Sequence, residues 1–193
     1  DQCYAGMGYN LLLDLPNVAV LRNFSDAILL GFIKDLPVNQ KRNFGFGLGR
    51  GYGTNSYYSN IGTSENNGVI TYEIVSNDDF DRSKFETHAI EFPFEIRWRN
   101  STPDDYKFWR IYGGIKASYL FSRRSKLVSS LGNQSFQNPD IARWQYGAIL
   151  SFGYNTWNLQ FYYALNSLLE EAQLNAVPIE IKPLTVGLIF YVL

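Results

Sequence analysis

The chain has a single cysteine, Cys3, in 193 residues, which excludes an internal disulfide. Cys3 is not the first residue, so a lipidated N-terminal cysteine is not expected either. Histidine is equally scarce, with His88 the one example. Long hydrophobic runs are missing. The longest, AILLGFI (27–33) and LTVGLIFYVL (184–193), fall short of the ~18 consecutive apolar residues a membrane helix requires. Charge of one sign is also missing: 17 Lys and Arg stand against 18 Asp and Glu, and a net charge of −1 gives no field to recruit nucleic acid. Asp1 stands where an initiator Met would, so we expect the mature product of a cleaved export signal.

What is abundant is aromatic. Fourteen Tyr, 14 Phe and 4 Trp make up 17% of the chain, beside 16 Gly, a mixture suited to strands and interfacial belts rather than helices. The stretch FETHAIEFPFEIRW (85–98) shows how they are arranged. His88, Ile90, Phe92, Phe94, Ile96 and Trp98 form one row, and Thr87, Ala89, Glu91, Pro93, Glu95 and Arg97 the other. Side chains of a strand alternate faces, so one face is apolar while the other carries charge at the same depth. Repeated along a chain, this pattern describes a transmembrane β-barrel with a polar interior. The slightly negative mean hydropathy of −0.19 agrees, because only alternate residues of such strands are apolar.

Eight segments carry the alternation: 2–13, 24–36, 42–56, 84–99, 106–122, 142–155, 157–168 and 181–192. Each is long enough for the ~9–11 residues of a tilted membrane strand. Connections around 36–41, 100–105 and 154–156 are short and rich in turn formers, whereas 60–81, 123–140 and 169–180 are long and polar. The expected fold is all-β: an eight-stranded antiparallel transmembrane barrel, one domain over 1–193, with short periplasmic turns and longer extracellular loops. Both termini then lie in the periplasm, and the outward rows include Phe92, Phe94, Ile96, Trp109, Ile111 and Ile115. The fragment GVITYEIV (68–75) has strand composition inside the longest loop and reads as an extracellular hairpin extension, a ninth or tenth barrel strand being the alternative. A β-sandwich would also alternate, but its apolar residues would pack against a second sheet.

Several residues invite a chemical reading. GFGLGRGYG (45–53) superficially suggests a phosphate loop, yet its glycines at 45, 47, 49, 51 and 53 keep strict period two, without the break and following helix a nucleotide fingerprint needs. The glycine row instead faces a crowded lumen and leaves room for long charged side chains. By parity Glu91, Glu95, Arg97, Arg110, Lys116, Tyr112, Arg143, Gln145 and Gln160 point inward, and a tight 100–105 turn sets Glu95 opposite Arg110, with Glu91 and Lys116 diagonal neighbours. Such side chains fill a small barrel as a hydrogen-bonded plug; a proton or ion pathway is the alternative. His88 faces outward near the extracellular rim, where a His paired with a Ser could attack a lipid ester. Ile90 occupies the next position on its face, so no catalytic, cofactor or metal residue is assigned. Arg50 interrupts an apolar outward row, which in lipid costs roughly 2–4 kcal/mol at mid-depth. A covering protein partner, a bulge that turns it inward, and snorkelling to the head groups are the three accounts. Arg123, Arg124 and Lys126 cluster at the outer rim, where anionic glycolipid phosphates sit; solvated loop charge explains them equally well.

The chain resembles the PorT-like porin-family barrels of Bacteroidota outer membranes. The resemblance is carried by YAGMGYNLLL, RNFGFGLGRGYG, AIEFPFEIRWRN, FWRIYGGIKASYLF and VGLIFYVL, which together span nearly the whole chain. In architecture it is similar to OmpX and to the membrane domain of OmpA. The resemblance implies an outer-membrane protein with no catalytic residues to carry over, and PorT relatives are tied to type IX protein secretion. The expectation is a non-enzymatic accessory or structural subunit of an outer-membrane complex for secretion, barrel assembly or uptake. Outer-membrane lipid, glycolipid and other outer-membrane proteins are the expected partners. A lipid A-modifying enzyme using His88, or a narrow channel, are the alternatives.

Overall fold

The computed structural model describes residues 1–15, 24–75, 80–100, 108–129, 132–174 and 177–192. Its strands are β1 (Gln2–Leu13), β2 (Asp26–Pro37), β3 (Phe44–Ser59), β4 (Ile61–Asn66), β5 (Val69–Ile74), β6 (Phe80–Arg99), β7 (Trp109–Ser129), β8 (Gly132–Gln137), β9 (Trp144–Tyr154), β10 (Trp157–Ala164), β11 (Gln173–Leu174), β12 (Val177–Pro178) and β13 (Lys182–Val192). Eight of these close into an antiparallel barrel in the order β1, β2, β3, β6, β7, β9, β10, β13, with β13 returning to β1. The closing ladder runs from Cys3 opposite Val192 to Leu13 opposite Lys182, so the barrel has no free edge to aggregate.

Period-two composition builds each wall strand. In β9 every second residue is buried and the residues between are exposed, apolar Leu150 and Phe152 facing out and Gln145 and Ser151 facing in. Phe92, Phe94, Ile96, Trp109, Ile111 and Ile115 are all exposed on the outer wall, as the alternation requires, and no second sheet covers them among the described residues. The last strand follows the same rule: Ile189 and Tyr191 turn inward, while Val192 is exposed.

Short turns and the chain ends share one mouth of the barrel; the long connections share the other. Asn155, at a positive φ of 56°, makes the tight reversal between β9 and β10. At the opposite mouth, β4 and β5 form a separate two-stranded hairpin turned by Asn67 and Gly68, both at positive φ. Residues 68–75 therefore supply the second arm of an extracellular hairpin, and the barrel count stays at eight. The same mouth carries β8, paired with the outer part of β7, and the short β11–β12 pair.

Several boundaries move from the sequence expectation: β3 runs on to Ser59 and β10 stops at Ala164. β6 starts at Phe80 and β7 continues to Ser129, because their outer parts alternate without an apolar row to mark them. The β6–β7 pairing is also displaced by four residues from a tight-turn register: Glu95 lies opposite Gly114 and Arg99 opposite Arg110. The ladder slips between Phe80 and Arg82 and again between His88 opposite Ser122 and Ala89 opposite Leu120, the second slip leaving Phe121 as a β-bulge residue.

The outer mouth is sealed by an apolar cluster that includes Leu12, Tyr57, Ile61, Phe85, Ile141 and Leu168. Polar pins hold this cap. Asn138 Nδ2 donates to Ser125 Oγ at 2.8 Å, and Tyr72 Oη donates to Asp140 Oδ2 at 2.9 Å. Burial pushes the Tyr72 hydroxyl above its ordinary pKa, so it remains a proton donor to that carboxylate.

Candidate functional site: lumen and outer wall

β6 supplies most of the lumen. Its inward row carries Glu91, Glu95 and Arg97, all at or below 3% exposure. Charges this deep persist only when paired, and these are. Arg97 Nε donates to Glu95 Oε2 at 2.8 Å, while Arg97 Nη1 donates to Gln2 Oε1 at 2.9 Å and Asp35 Oδ1 at 3.2 Å. The guanidinium carbon lies 4.5 Å from the Tyr112 ring centroid and 5.2 Å from that of Tyr191, cation–π contacts that add to its desolvated stabilisation. Arg99 Nη2 takes the other oxygen of Asp35 at 2.7 Å. Further out, Lys116 Nζ donates to Glu91 Oε1 at 2.7 Å and sits 4.4 Å from the Tyr162 ring. Asp35, Glu91 and Glu95 thus balance Arg97, Arg99 and Lys116.

The glycine row of β3 makes space for this network. A Cβ on Gly47 would lie 2.7 Å from Arg97 Nε, and one on Gly53 would lie 2.6 Å from Glu91 Oε1. Both are too close for a side chain, so the row is fixed by what fills the lumen. Small voids of about 30 and 20 Å³ lie beside Glu91 and Lys116, room for a water or two each.

The structure joins Glu91 to Lys116 and Glu95 to Arg97, but Glu95 and Arg110 do not pair. The four-residue displacement takes Arg110 to the inner mouth, where its Nη2 donates to the Asn155 carbonyl and its guanidinium covers the Phe108 ring. Arg143 is a second correction. It is exposed, one residue before β9, rather than in the lumen. Tyr112 and Gln145 are buried inward, and Gln160 lines both voids. Asp35, Arg99, Gln2 and Tyr191 were missed. Asp35 and Arg99 were visible in the inward parity of their strands, but the convergence of Asp35, Gln2 and Tyr191 on Arg97, with Arg99 joined through Asp35, comes from closing the barrel.

The outer wall is an apolar band between two aromatic belts. On β6 it runs from Ile90 to Trp98, matching the ~9–11 residues needed to cross hydrocarbon. Trp98, Trp109, Tyr154 and Trp157 mark the inner belt, with Trp109 and Tyr154 centroids 4.9 Å apart; Tyr52, Phe121, Trp144 and Tyr146 mark the outer one. Arg50 is exposed on this wall, opposite Phe32 and two residues inward of Tyr52. Lys34, also exposed, lies diagonally across from it. Asp1, Phe32, Ile33, Leu48 and Gly49 join the two cations in lining an outer-wall groove of about 330 Å³. Neither cation has an ion-pair partner among the described residues.

His88 faces outward, and both its ring nitrogens are occupied. Nδ1 lies 2.5 Å from the Tyr52 hydroxyl, and Nε2 lies 3.4 Å from Glu86 Oε1. Of the rim cations, Arg124 and Lys126 are exposed, whereas Arg123 turns its guanidinium back to the carbonyls of Pro139 and Ile141 and pins the cap. Arg123 is therefore a loop anchor and not a head-group contact.

A closed barrel with an apolar, aromatic-belted exterior and a charge-paired interior is a transmembrane β-barrel. A family model described as "Outer membrane protein beta-barrel domain" matches residues 4–170. The chain belongs to that family and is an outer-membrane protein. The match ends before β13, the strand that closes the barrel. Comparison with curated proteins gives no match.

Proposed function

We propose that this barrel is a non-enzymatic accessory subunit of a larger outer-membrane assembly, held there by the Arg50 and Lys34 face. The carrying observation is this pair of cations, neither in an ion pair among the described residues, in an outer-wall groove whose other lining residues are apolar except Asp1. Each cation facing lipid at mid-depth costs roughly 2–4 kcal/mol, more than a surface ion pair returns. A partner barrel presenting a carboxylate to the groove removes that cost and fixes the orientation of the two proteins. The paired lumen, capped by the apolar cluster, argues for work done on the outside of the barrel. Against the ester-cleaving alternative, the hydroxyl on His88 is the phenol of Tyr52, and Ser122, opposite His88 in the ladder, makes no hydrogen bond to the ring among the described residues. Secretion, barrel assembly and uptake machines are the assemblies this role fits, and the PorT-like resemblance favours secretion among them.

The test is gentle detergent extraction of native membranes and identification of proteins that co-purify. Arg50→Leu with Lys34→Leu should leave the isolated barrel folded, and more stable in lipid, while the partner is lost. Unchanged co-purification would remove the basis for this role.

A further inference from the structure

On β6 and β7 the lipid-facing apolar rows stop at one level, and basic side chains begin there. Ile90 is the last exposed aliphatic residue on β6, followed outward by His88, Glu86 and Lys84. Phe121 ends the row on β7. The change coincides with the β-bulge. Inward of it the odd-numbered residues of β7 face lipid; outward of it Arg124 and Lys126 are exposed, and Ser125 between them is fully buried. In a regular ladder Arg124 and Lys126 would turn in over the apolar cap. The bulge re-aims both cations to the outer face, just beyond the outer aromatic belt.

The pairing concentrates charge there. Lys84 lies directly opposite Lys126, and Glu86 opposite Arg124. Lys84 Nζ is 2.5 Å from Glu86 Oε2 and 5.7 Å from the Tyr58 ring. Glu86 is thus shared by Lys84 and His88, and neither Arg124 nor Lys126 has an ion-pair partner among the described residues. Like charges directly opposite one another in a ladder repel, and the single carboxylate of Glu86 cannot offset all three cations.

We propose that Lys84, Arg124 and Lys126, with Tyr58 beside them, bind a phosphate group of an outer-leaflet glycolipid. Three cations meet the head group at the level where such phosphates lie. Directly below, Ile90, Phe121 and Tyr52 offer an apolar wall to its acyl chains. A soluble anion would use the first feature and not the second; an amphiphile uses both.

Native mass spectrometry of the purified barrel tests this, with bisphosphorylated lipid A and the same lipid after phosphatase treatment as probes. The phosphorylated lipid should bind in preference. Arg124→Gln with Lys126→Gln should weaken it by about thirty-fold, at ~1 kcal/mol per cation, while Lys41→Gln with Arg42→Gln, an equal charge change at the opposite mouth, should not. If the double variant does not fold, wild-type protein still decides: added salt should displace the phosphorylated lipid and leave the dephosphorylated lipid in place. Equal binding of both lipids, no effect of the double substitution, displacement by inorganic phosphate as readily as by lipid, or salt-insensitive binding would each overturn the proposal.

Discussion

Glu95 and Arg97, two residues apart on one strand, share a 2.8 Å hydrogen bond in the waist of the barrel, both almost wholly removed from solvent. Neither is stable there alone. Removing the carboxylate by Glu95→Ala strands the guanidinium, relieved in part by Asp35 and Gln2, and should cost about 2–4 kcal/mol in denaturant unfolding. The Glu95→Leu and Arg97→Met double substitution should cost less than the single one. A double-mutant cycle without coupling would separate the two residues.

Gly47 is fixed by its neighbour rather than by its backbone. Gly47→Ala drives a methyl group into Arg97 Nε and should destabilise the barrel by about 1–3 kcal/mol. Gly113→Ala, whose added carbon would meet its nearest atom at 3.7 Å, should be close to neutral. Equal unfolding midpoints for the two variants would contradict a tightly filled lumen.

The cap should loosen separately from the wall. Tyr72→Phe removes the hydrogen bonds to Asp140 and Asn138, with each worth about 1 kcal/mol. Protease cleavage in the outer loops should rise while the heat-modifiable gel mobility of the folded barrel stays unchanged. A loss of that mobility would make the cap part of the barrel's own stability.

Planar-bilayer recordings of the wild-type barrel should be silent, because Arg97 and its partners fill the waist and the apolar cluster covers the outer mouth. Steady single-channel steps would favour the channel alternative.

The wall of this protein is legible in its sequence because period two is a local property: Phe92, Phe94, Ile96, Trp109, Ile111 and Ile115 needed only their own strands to be placed. Register is not local. The β6–β7 displacement is an even number of residues, so it kept every face and changed every partner, which is why Arg110 was placed inward correctly but beside the wrong carboxylate. At the rim only Arg123 departs from expectation, while Arg124 and Lys126 are exposed. The bulge at Phe121 reverses parity partway along β7, and nothing in YLFSRRSK announces it. Asp35 and Lys34 had the right parity to be noticed; what joined the first to Arg97 and the second to Arg50 was the closure of neighbouring strands.

The most direct measurement is photo-crosslinking in native membranes from a probe at position 48, on the outer wall between Lys34 and Arg50. A discrete protein adduct at that position, lost when Arg50 and Lys34 are replaced by Leu, is the result expected of a subunit docked through this groove. Adducts to lipid alone would contradict it and leave the barrel without a partner on this face.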